Sequence, residues 1–352
     1  MTIPLLYVLH SGNLYGTERM ALATAAGLTQ DFTPTIFAPP GPALGEAEHL
    51  GLSVRPFSNP REFALQLRPW LARHRRLAFV ATGVVHSLVW SLWNTWYRRQ
   101  AVHLHIVHGG TDERDSYGRK KLLNRLGVTF VAVSAFVKER LIAHGVRANR
   151  IVVIENFLPD DRISQVPKRG PFEFAGVQRI LIVSRLDPIK RVDLVLDALD
   201  RSSQLAKLSV RILGTGWDYE TLRLRAESQH PNVHVAGFSA DVPTELAATD
   251  LLVHPCPAEP FGLAILEAMA AGVPVLVADT GGAAALVEEG ISGFRFRAND
   301  ADALAQRLTD LANTSPEQLN HVVAGGYRAL ATRFSAKARL EDYRRLLYGE
   351  RL

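Results

Sequence analysis

The stretch Leu251-Leu252-Val253-His254-Pro255-Cys256-Pro257-Ala258-Glu259-Pro260-Phe261-Gly262-Leu263-Ala264-Ile265-Leu266-Glu267-Ala268-Met269-Ala270-Ala271-Gly272-Val273-Pro274-Val275-Leu276-Val277-Ala278 reads as strand, loop, helix, turn and strand. The apolar runs at its two ends are short and unbroken, the pattern of strands buried on both faces. The helix starts near Gly262 or Leu263. It stops before Gly272-Val273-Pro274, where glycine and then proline close a helix. Two strands joined by a helix form the repeating unit of a parallel sheet covered on both sides.

The same alternation continues in both directions. Upstream, residues 5–9, 35–38, 77–82, 103–107, 129–133 and 151–154 read as strands. A loop, Ser11-Gly12-Asn13-Leu14-Tyr15-Gly16, leads into a helix over residues 17–28. Residues 159–176, with Pro159, Pro167, Gly170 and Pro171, read as a linker. Strands resume at 179–183, 208–213 and 233–236, with helices at 192–199, 303–311 and 336–348. The expected class is α/β, with two Rossmann-like domains. The first spans 1–165 and is joined by the closing helix, about 335–352; the second spans 170–332. In open α/β sheets ligands bind beyond the carboxyl ends of strands, and the motifs below fall there in both halves, which argues for a cleft between domains.

With 352 residues, 47% hydrophobic and 21% charged, the composition is that of a globular protein and not of a disordered one. The lone cysteine, Cys256, allows neither an intramolecular disulfide nor a multi-cysteine metal site, and favours a reducing compartment. A net charge of +5 permits an anionic partner without naming it. No usual nucleic-acid-binding signature is present. The N-terminus lacks the basic leader of a signal peptide. The segment 87–99 carries Trp90, Trp93, Trp96 and Tyr97 beside Arg98-Arg99, a combination that suits a membrane interface, although the helical spacing favours tryptophans packed in a core.

Three stretches can carry chemistry. In the first loop, Gly16 precedes a helix N-terminus, where amides attract anions; a plain strand–helix turn has the same pattern. Val183-Ser184-Arg185-Leu186-Asp187-Pro188-Ile189-Lys190 delivers two cations at a strand's carboxyl end, suited to phosphate or simply exposed in a loop. In the opening stretch, seven residues separate Glu259 from Glu267. Each carboxylate can accept from two hydroxyls, and the flanking Pro-Phe-Gly and Gly-Val-Pro set the segment apart from a generic amphipathic helix. The Asp300-Ala301-Asp302 run reads as a helix cap rather than a cation site.

On these residues, with Glu18-Arg19, the 131–134 strand end, the Asn156 region, Gly214-Thr215-Gly216, Thr280-Gly281-Gly282 and the closing helix, the chain resembles glycosyltransferase family 4. Those are retaining, nucleotide-sugar-dependent enzymes of the GT-B fold, in which two Rossmann-like domains face each other across a cleft. The resemblance implies that Arg185 and Lys190 hold the diphosphate and that Glu267 binds the ribose. It implies that Glu259 binds hydroxyls of the transferred sugar. The amides of Phe261, Gly262 and Leu263 should approach phosphate or sugar. Gly16 should lie near the diphosphate, with Gly214 also on the donor side. Gly237 and Phe238 should frame the base, and His108 should orient the sugar. It implies a UDP- or GDP-type donor and no cofactor or metal. The acceptor is expected to be a glycan, lipid-linked sugar or small molecule, and nucleic acid is not a partner. The location is expected to be cytoplasmic, with peripheral contact at the inner face of the cell membrane. Two departures stand out: Tyr15 replaces a paired glycine, and Ala283-Ala284-Ala285 stand where the family often has a glutamate. A nucleotide-sugar epimerase and a non-catalytic nucleotide-sugar-binding subunit are the rival readings.

Overall fold

The computed structural model describes residues 2–99, 101–110 and 116–350. The chain divides into two compact units, Met1–Asn156 with Ala336–Leu352, and Phe157–Ser335.

The first unit runs β1 (Ile3–Val8), α1 (Gly16–Gly27), β2 (Phe32–Ala38), α2 (Pro42–His49), β3 (Ser53–Pro56), α3 (Pro60–Arg73), β4 (Ala78–Ala81), α4 (Val84–Tyr97) and β5 (Val102–Val107). A 3-10 segment, Gly118–Leu123, leads to β6 (Thr129–Ala132), α5 (Ala135–Ala143) and β7 (Ile151–Val153). Among the described residues these strands form one sheet in the order β3-β2-β1-β4-β5-β6-β7, each neighbour parallel. Parallel sheets are covered on both faces. Here Phe79 of β4 stacks on the fully buried Trp90 of α4 at 4.3 Å, with Leu6, Val8, Phe37 and Phe63 in the same core. Burial of each such side chain is worth about 1.5–3 kcal/mol.

The second unit runs α6 (Asp160–Gln165), β8 (Arg179–Val183), α7 (Asp193–Leu199), β9 (Ser209–Leu213), α8 (Tyr219–Gln229), β10 (Val233–Gly237), α9 (Val242–Ala247), β11 (Leu251–His254) and α10 (Leu263–Ala271). It continues with β12 (Val275–Ala278), α11 (Gly281–Ala284), β13 (Phe294–Phe296), α12 (Ala301–Leu311) and α13 (Pro316–Ala331). The strand order is β10-β9-β8-β11-β12-β13, again parallel throughout. This is the Rossmann order: the chain winds outward in one direction from β8, then returns to start the other direction at β11. The crevice between β8 and β11 is therefore the topological switch point, where ligands of such sheets bind. The last helix, α14 (Ala336–Leu347), belongs to the first unit, where Arg344 pairs with Asp31 at 2.7 Å; residues 351 and 352 of the segment expected there lie outside the described residues.

The division falls at Asn156/Phe157, earlier than the proline- and glycine-rich stretch 159–176. That stretch is not a free linker. It contains α6, Lys168 donates to the carbonyl of Ala270, and Phe172 lies in the second core. Arg169 and Arg179 both reach Asp250 at 2.8 Å, so one buried carboxylate ties this stretch to the amino ends of β8 and β11.

Candidate functional site

Five strand ends of the second unit place the residues of interest. After β8 the chain forms a 3-10 turn, Pro188–Lys190. After β9, Gly214-Thr215-Gly216 packs against that same loop: Leu186 donates to the carbonyl of Thr215, and Gly214 to that of Gly237 at the end of β10. Gly214 has φ +140°, and a Cβ there would overlap the carbonyl oxygen of Ser184. Both the backbone conformation and the packing exclude a side chain. Gly214→Ala is therefore expected to lower stability by about 3 kcal/mol or more, measured as the shift of a urea unfolding midpoint; an unchanged midpoint would refute the close packing of these two loops.

After β11 the loop from Pro255 to Gly262 turns back over the switch point. Gly262 has φ +101° and caps α10, which begins at Leu263. The amides of Phe261, Gly262 and Leu263 donate to no group among the described residues, as the first amides of a helix do when no cap supplies an acceptor. Phe261 anchors the loop by an edge-on contact with Phe334 at 6.1 Å. From the end of β12, Thr280 Oγ1 donates to the carbonyl of Pro257 and the amide of Gly282 to that of Glu259.

Lys190 and Glu259 meet across the switch point. Lys190 Nζ lies 2.6 Å from Glu259 Oε2, and the side chains are only 16% and 12% exposed. His254 Nε2, at the last residue of β11, lies 3.1 Å from the same oxygen. With an ionised glutamate as acceptor, that nitrogen carries the proton. Burial works against ionisation of Glu259. The hydrogen bond from His254 and the charge of Lys190 outweigh it and hold the carboxyl well below its ordinary range. Burial also opposes the charge on Lys190, and Glu259 more than offsets it, so the ammonium titrates above its ordinary value. Both donors converge on Oε2. Oε1 has no partner among the described residues and is not sealed from solvent. The carboxylate thus presents one free acceptor oxygen, held in place by two donors on the other.

The remaining second-unit residues lie around this pair. Arg185 is 65% exposed and is held at 2.8 Å by Asp187. Glu267 is half-buried, in the second turn of α10. Gly237, with φ +76°, ends β10, and Phe238 beside it is exposed. Burial pushes the Cys256 thiol up to about 11, and its Sγ contacts the carbonyl of Ile189. This inert thiol spaces the two loops. Ala283 and Ala284 are buried in α11 and bring no acceptor or charge where the family pattern has a glutamate.

Gly16 and His108 belong to the first unit, at the start of α1 and just beyond β5. The Nε2 atom of His108 is buried and has no partner among the described residues. Burial first, and the neighbouring His10 second, lower its pKa to about 3, so the ring is neutral at physiological pH. His10 is tied to Thr82, at the end of β4, by a 2.9 Å bond. In Asp300-Ala301-Asp302, Asp300 Oδ1 accepts from the amide of Ala303 at 2.8 Å and caps α12. Among the described residues no three His, Cys, Asp or Glu side chains are grouped to hold a metal ion.

The spacing of the sequence led to Lys190 and Glu259 separately, but not to their ion pair, which joins loops 69 residues apart. It missed His254 as a partner. Its signal was the polar residue ending an otherwise apolar strand run, Leu251-Leu252-Val253-His254, five residues before Glu259.

Two family models match this chain: the Glycosyltransferase Family 4 model over residues 15–162, and the Glycosyl transferases group 1 model over residues 169–328. A D-inositol 3-phosphate glycosyltransferase from Segniliparus rotundus is 32% identical over 217 residues, 55% of this chain and 45% of that protein. A phosphatidyl-myo-inositol mannosyltransferase from Mycobacterium leprae is 30% identical over 179 residues, 49% of this chain and 47% of that one. The matches thus span less than half the length of these relatives. Among solved structures, HepE from Anabaena in complex with UDP-glucose superposes with a TM-score of 0.79 at 21% identity, covering 99% of this chain and 100% of that one. A glycosyltransferase from Rickettsia africae gives 0.80 at 19% identity, covering 99% and 98%. With family models matched to both halves, the chain belongs to the glycosyltransferases, its first half of the family 4 type and its second half of group 1.

Proposed function

We propose that this chain transfers a sugar from a nucleoside diphosphate to an acceptor hydroxyl, with retention of anomeric configuration. The observation that carries the reading is the Lys190–Glu259 pair at the switch point of the second sheet, beside helix amides with no acceptor among the described residues. When the bond between the sugar and the diphosphate breaks, negative charge grows on the departing oxygen. A fixed cation and preset amides stabilise that charge without rearranging water, and removal of one such donor elsewhere costs about 10²–10³ in turnover. In this proposal Lys190 and the exposed fork of Arg185 hold the diphosphate and do the charge work without a metal. Glu259 Oε1 accepts from hydroxyls of the sugar, and Glu267 accepts from the ribose diol. The amides of Phe261, Gly262 and Leu263 approach phosphate or sugar. Gly214 and Gly237 keep the flanking loops low, and Phe238 offers its ring to the base. Gly16 gives backbone access to phosphate. His108, being neutral, serves as a hydrogen-bonding group rather than as a base.

The relatives support a nucleotide-sugar donor: HepE was solved with UDP-glucose, and the Segniliparus and Mycobacterium proteins are named for transfer to inositol-containing acceptors. A UDP- or GDP-type donor and a glycan, lipid-linked or small-molecule acceptor are proposed here on that footing. A cytoplasmic site of action fits the single buried thiol. The test is a panel of nucleotide sugars assayed for slow hydrolysis and then for transfer to each acceptor class. Turnover of one donor supports the reading. Tight binding of a nucleoside diphosphate with no turnover of any donor would replace it with a non-catalytic binding subunit, and a rearranged sugar without an acceptor would replace it with an epimerase.

A further inference from the structure

The two donors to Glu259 Oε2 differ in what they can do next. Lys190 Nζ carries three hydrogens on a long flexible stem and belongs to the short turn Pro188–Lys190. His254 is the last residue of β11, in register with Val277 of β12, and its side chain is only 6% exposed. The stiff ring reaches Oε2 at 3.1 Å and has no other hydrogen-bond partner among the described residues.

A diphosphate in the crevice between β8 and β11 competes for Lys190. It carries more negative charge than one carboxylate, so the ammonium turns toward it. Glu259 then loses its cation but stays buried. A buried carboxylate with neither cation nor donor takes up a proton rather than remaining charged. Once protonated it offers a rotatable O–H donor where sugar hydroxyls need a fixed acceptor. The other groups around the pair do not prevent this. Burial keeps the Cys256 thiol protonated and uncharged, and Arg185 is exposed and held by Asp187. The amide of Gly282 engages the backbone carbonyl of Glu259, which fixes the loop but not the carboxylate. Among the described residues, His254 is the donor that remains.

We propose that His254 is the positioning residue of this site: its Nε2–H anchors Glu259 Oε2 throughout, so that Oε1 stays a charged, aimed acceptor while Lys190 exchanges Glu259 for the diphosphate. This role rests on the sugar-transfer reading of the same crevice.

The test follows the Glu259 carboxyl directly. The full chain is labelled with glutamate carrying ¹³C at the side-chain carboxyl, and the Glu259 resonance is assigned by its loss in Glu259→Gln. Its titration is recorded for wild type, His254→Leu and His254→Gln, each alone and saturated with UDP or GDP, whichever binds. Wild type should stay ionised well below pH 4.5 in both states. In His254→Leu the midpoint should rise slightly without nucleotide and by at least about one pH unit more with it. His254→Gln, which can place an N–H near the same point, should behave like wild type. Should His254→Leu not fold, His254→Asn, whose shorter amide cannot reach Oε2, takes its place. In donor turnover, His254→Leu should lower kcat by about 10–100-fold with little change in KM, and gain an acid limb that wild type and His254→Gln lack. If neither nucleotide binds, the sugar-transfer reading fails and this role with it. If a nucleotide binds, a Glu259 midpoint that matches wild type in His254→Leu, a rise of equal size with and without nucleotide, or no recovery in His254→Gln would each overturn the role of His254 alone.

Discussion

Lys190→Ala is expected to reduce donor turnover by about 10²–10³, the largest effect of any single change in the second unit. Lys190 is almost buried, and its ammonium titrates above the ordinary lysine value. It therefore remains charged near neutrality, and under the proposed function it would meet the diphosphate as a fixed point charge with little water to displace. Arginine at this position should recover only part of the rate, because a planar fork does not fit where a compact ammonium sits 2.6 Å from Glu259. Removing one member of a buried pair also destabilises, by about 3 kcal/mol, because His254 is then the one partner left to the Glu259 carboxylate among the described residues. Rate constants from donor hydrolysis should be read beside melting curves. An unchanged rate with an intact fold would remove Lys190 from the mechanism.

The second large effect concerns Glu259, and here two measurements are expected to move in opposite directions. Glu259→Gln preserves shape but removes the charge that neutralises Lys190. Turnover should fall by about 10², since an amide cannot reproduce an acceptor oxygen locked by two donors. Affinity for a nucleoside diphosphate should rise several-fold, since Lys190 no longer has an internal counter-ion. The pH dependence follows from the depressed carboxyl. A glutamate held below its ordinary value of 4.5 contributes stability that is complete above that value and is progressively lost as pH falls below it. The difference in melting temperature between wild type and Glu259→Gln should therefore be largest near neutrality and shrink below about pH 4.5. A difference that grows on acidification would mean that Glu259 is not ionised in the folded protein.

Much of this was legible in the sequence where apolar runs were bounded by glycine and proline. Leu251–His254, Val275–Ala278 and Arg179–Val183 appear in the structure with those bounds, because central parallel strands are buried on both faces and so read as unbroken apolar runs. The edge strands β3 and β13 were not read. Ser53–Pro56 is mostly exposed, and Phe294–Phe296 is three residues long with Arg295 at its centre; neither has the double burial that makes a run apolar. The stretch 159–176 misled in the opposite sense. Its prolines and glycines suggested a linker, but Lys168, Arg169 and Phe172 fasten it to the second unit by contacts with residues 250, 270 and 320. At the site, Lys190 and Glu259 were legible as loop charges at strand ends. Their pairing and the part of His254 were not, because the order of strands in the sheet, and not local periodicity, brings β8 and β11 side by side.

The central claim is that Lys190 holds the second phosphate group of a nucleotide donor at the switch point of the second sheet. It is tested most directly by titration calorimetry of wild type and Lys190→Ala with the preferred nucleoside diphosphate and with its monophosphate. The account predicts that wild type binds the diphosphate at least about tenfold more tightly, a difference of roughly 1.4 kcal/mol, and that this preference largely disappears in Lys190→Ala while monophosphate affinity is little changed. A preference for the diphosphate that survives intact in Lys190→Ala would contradict it.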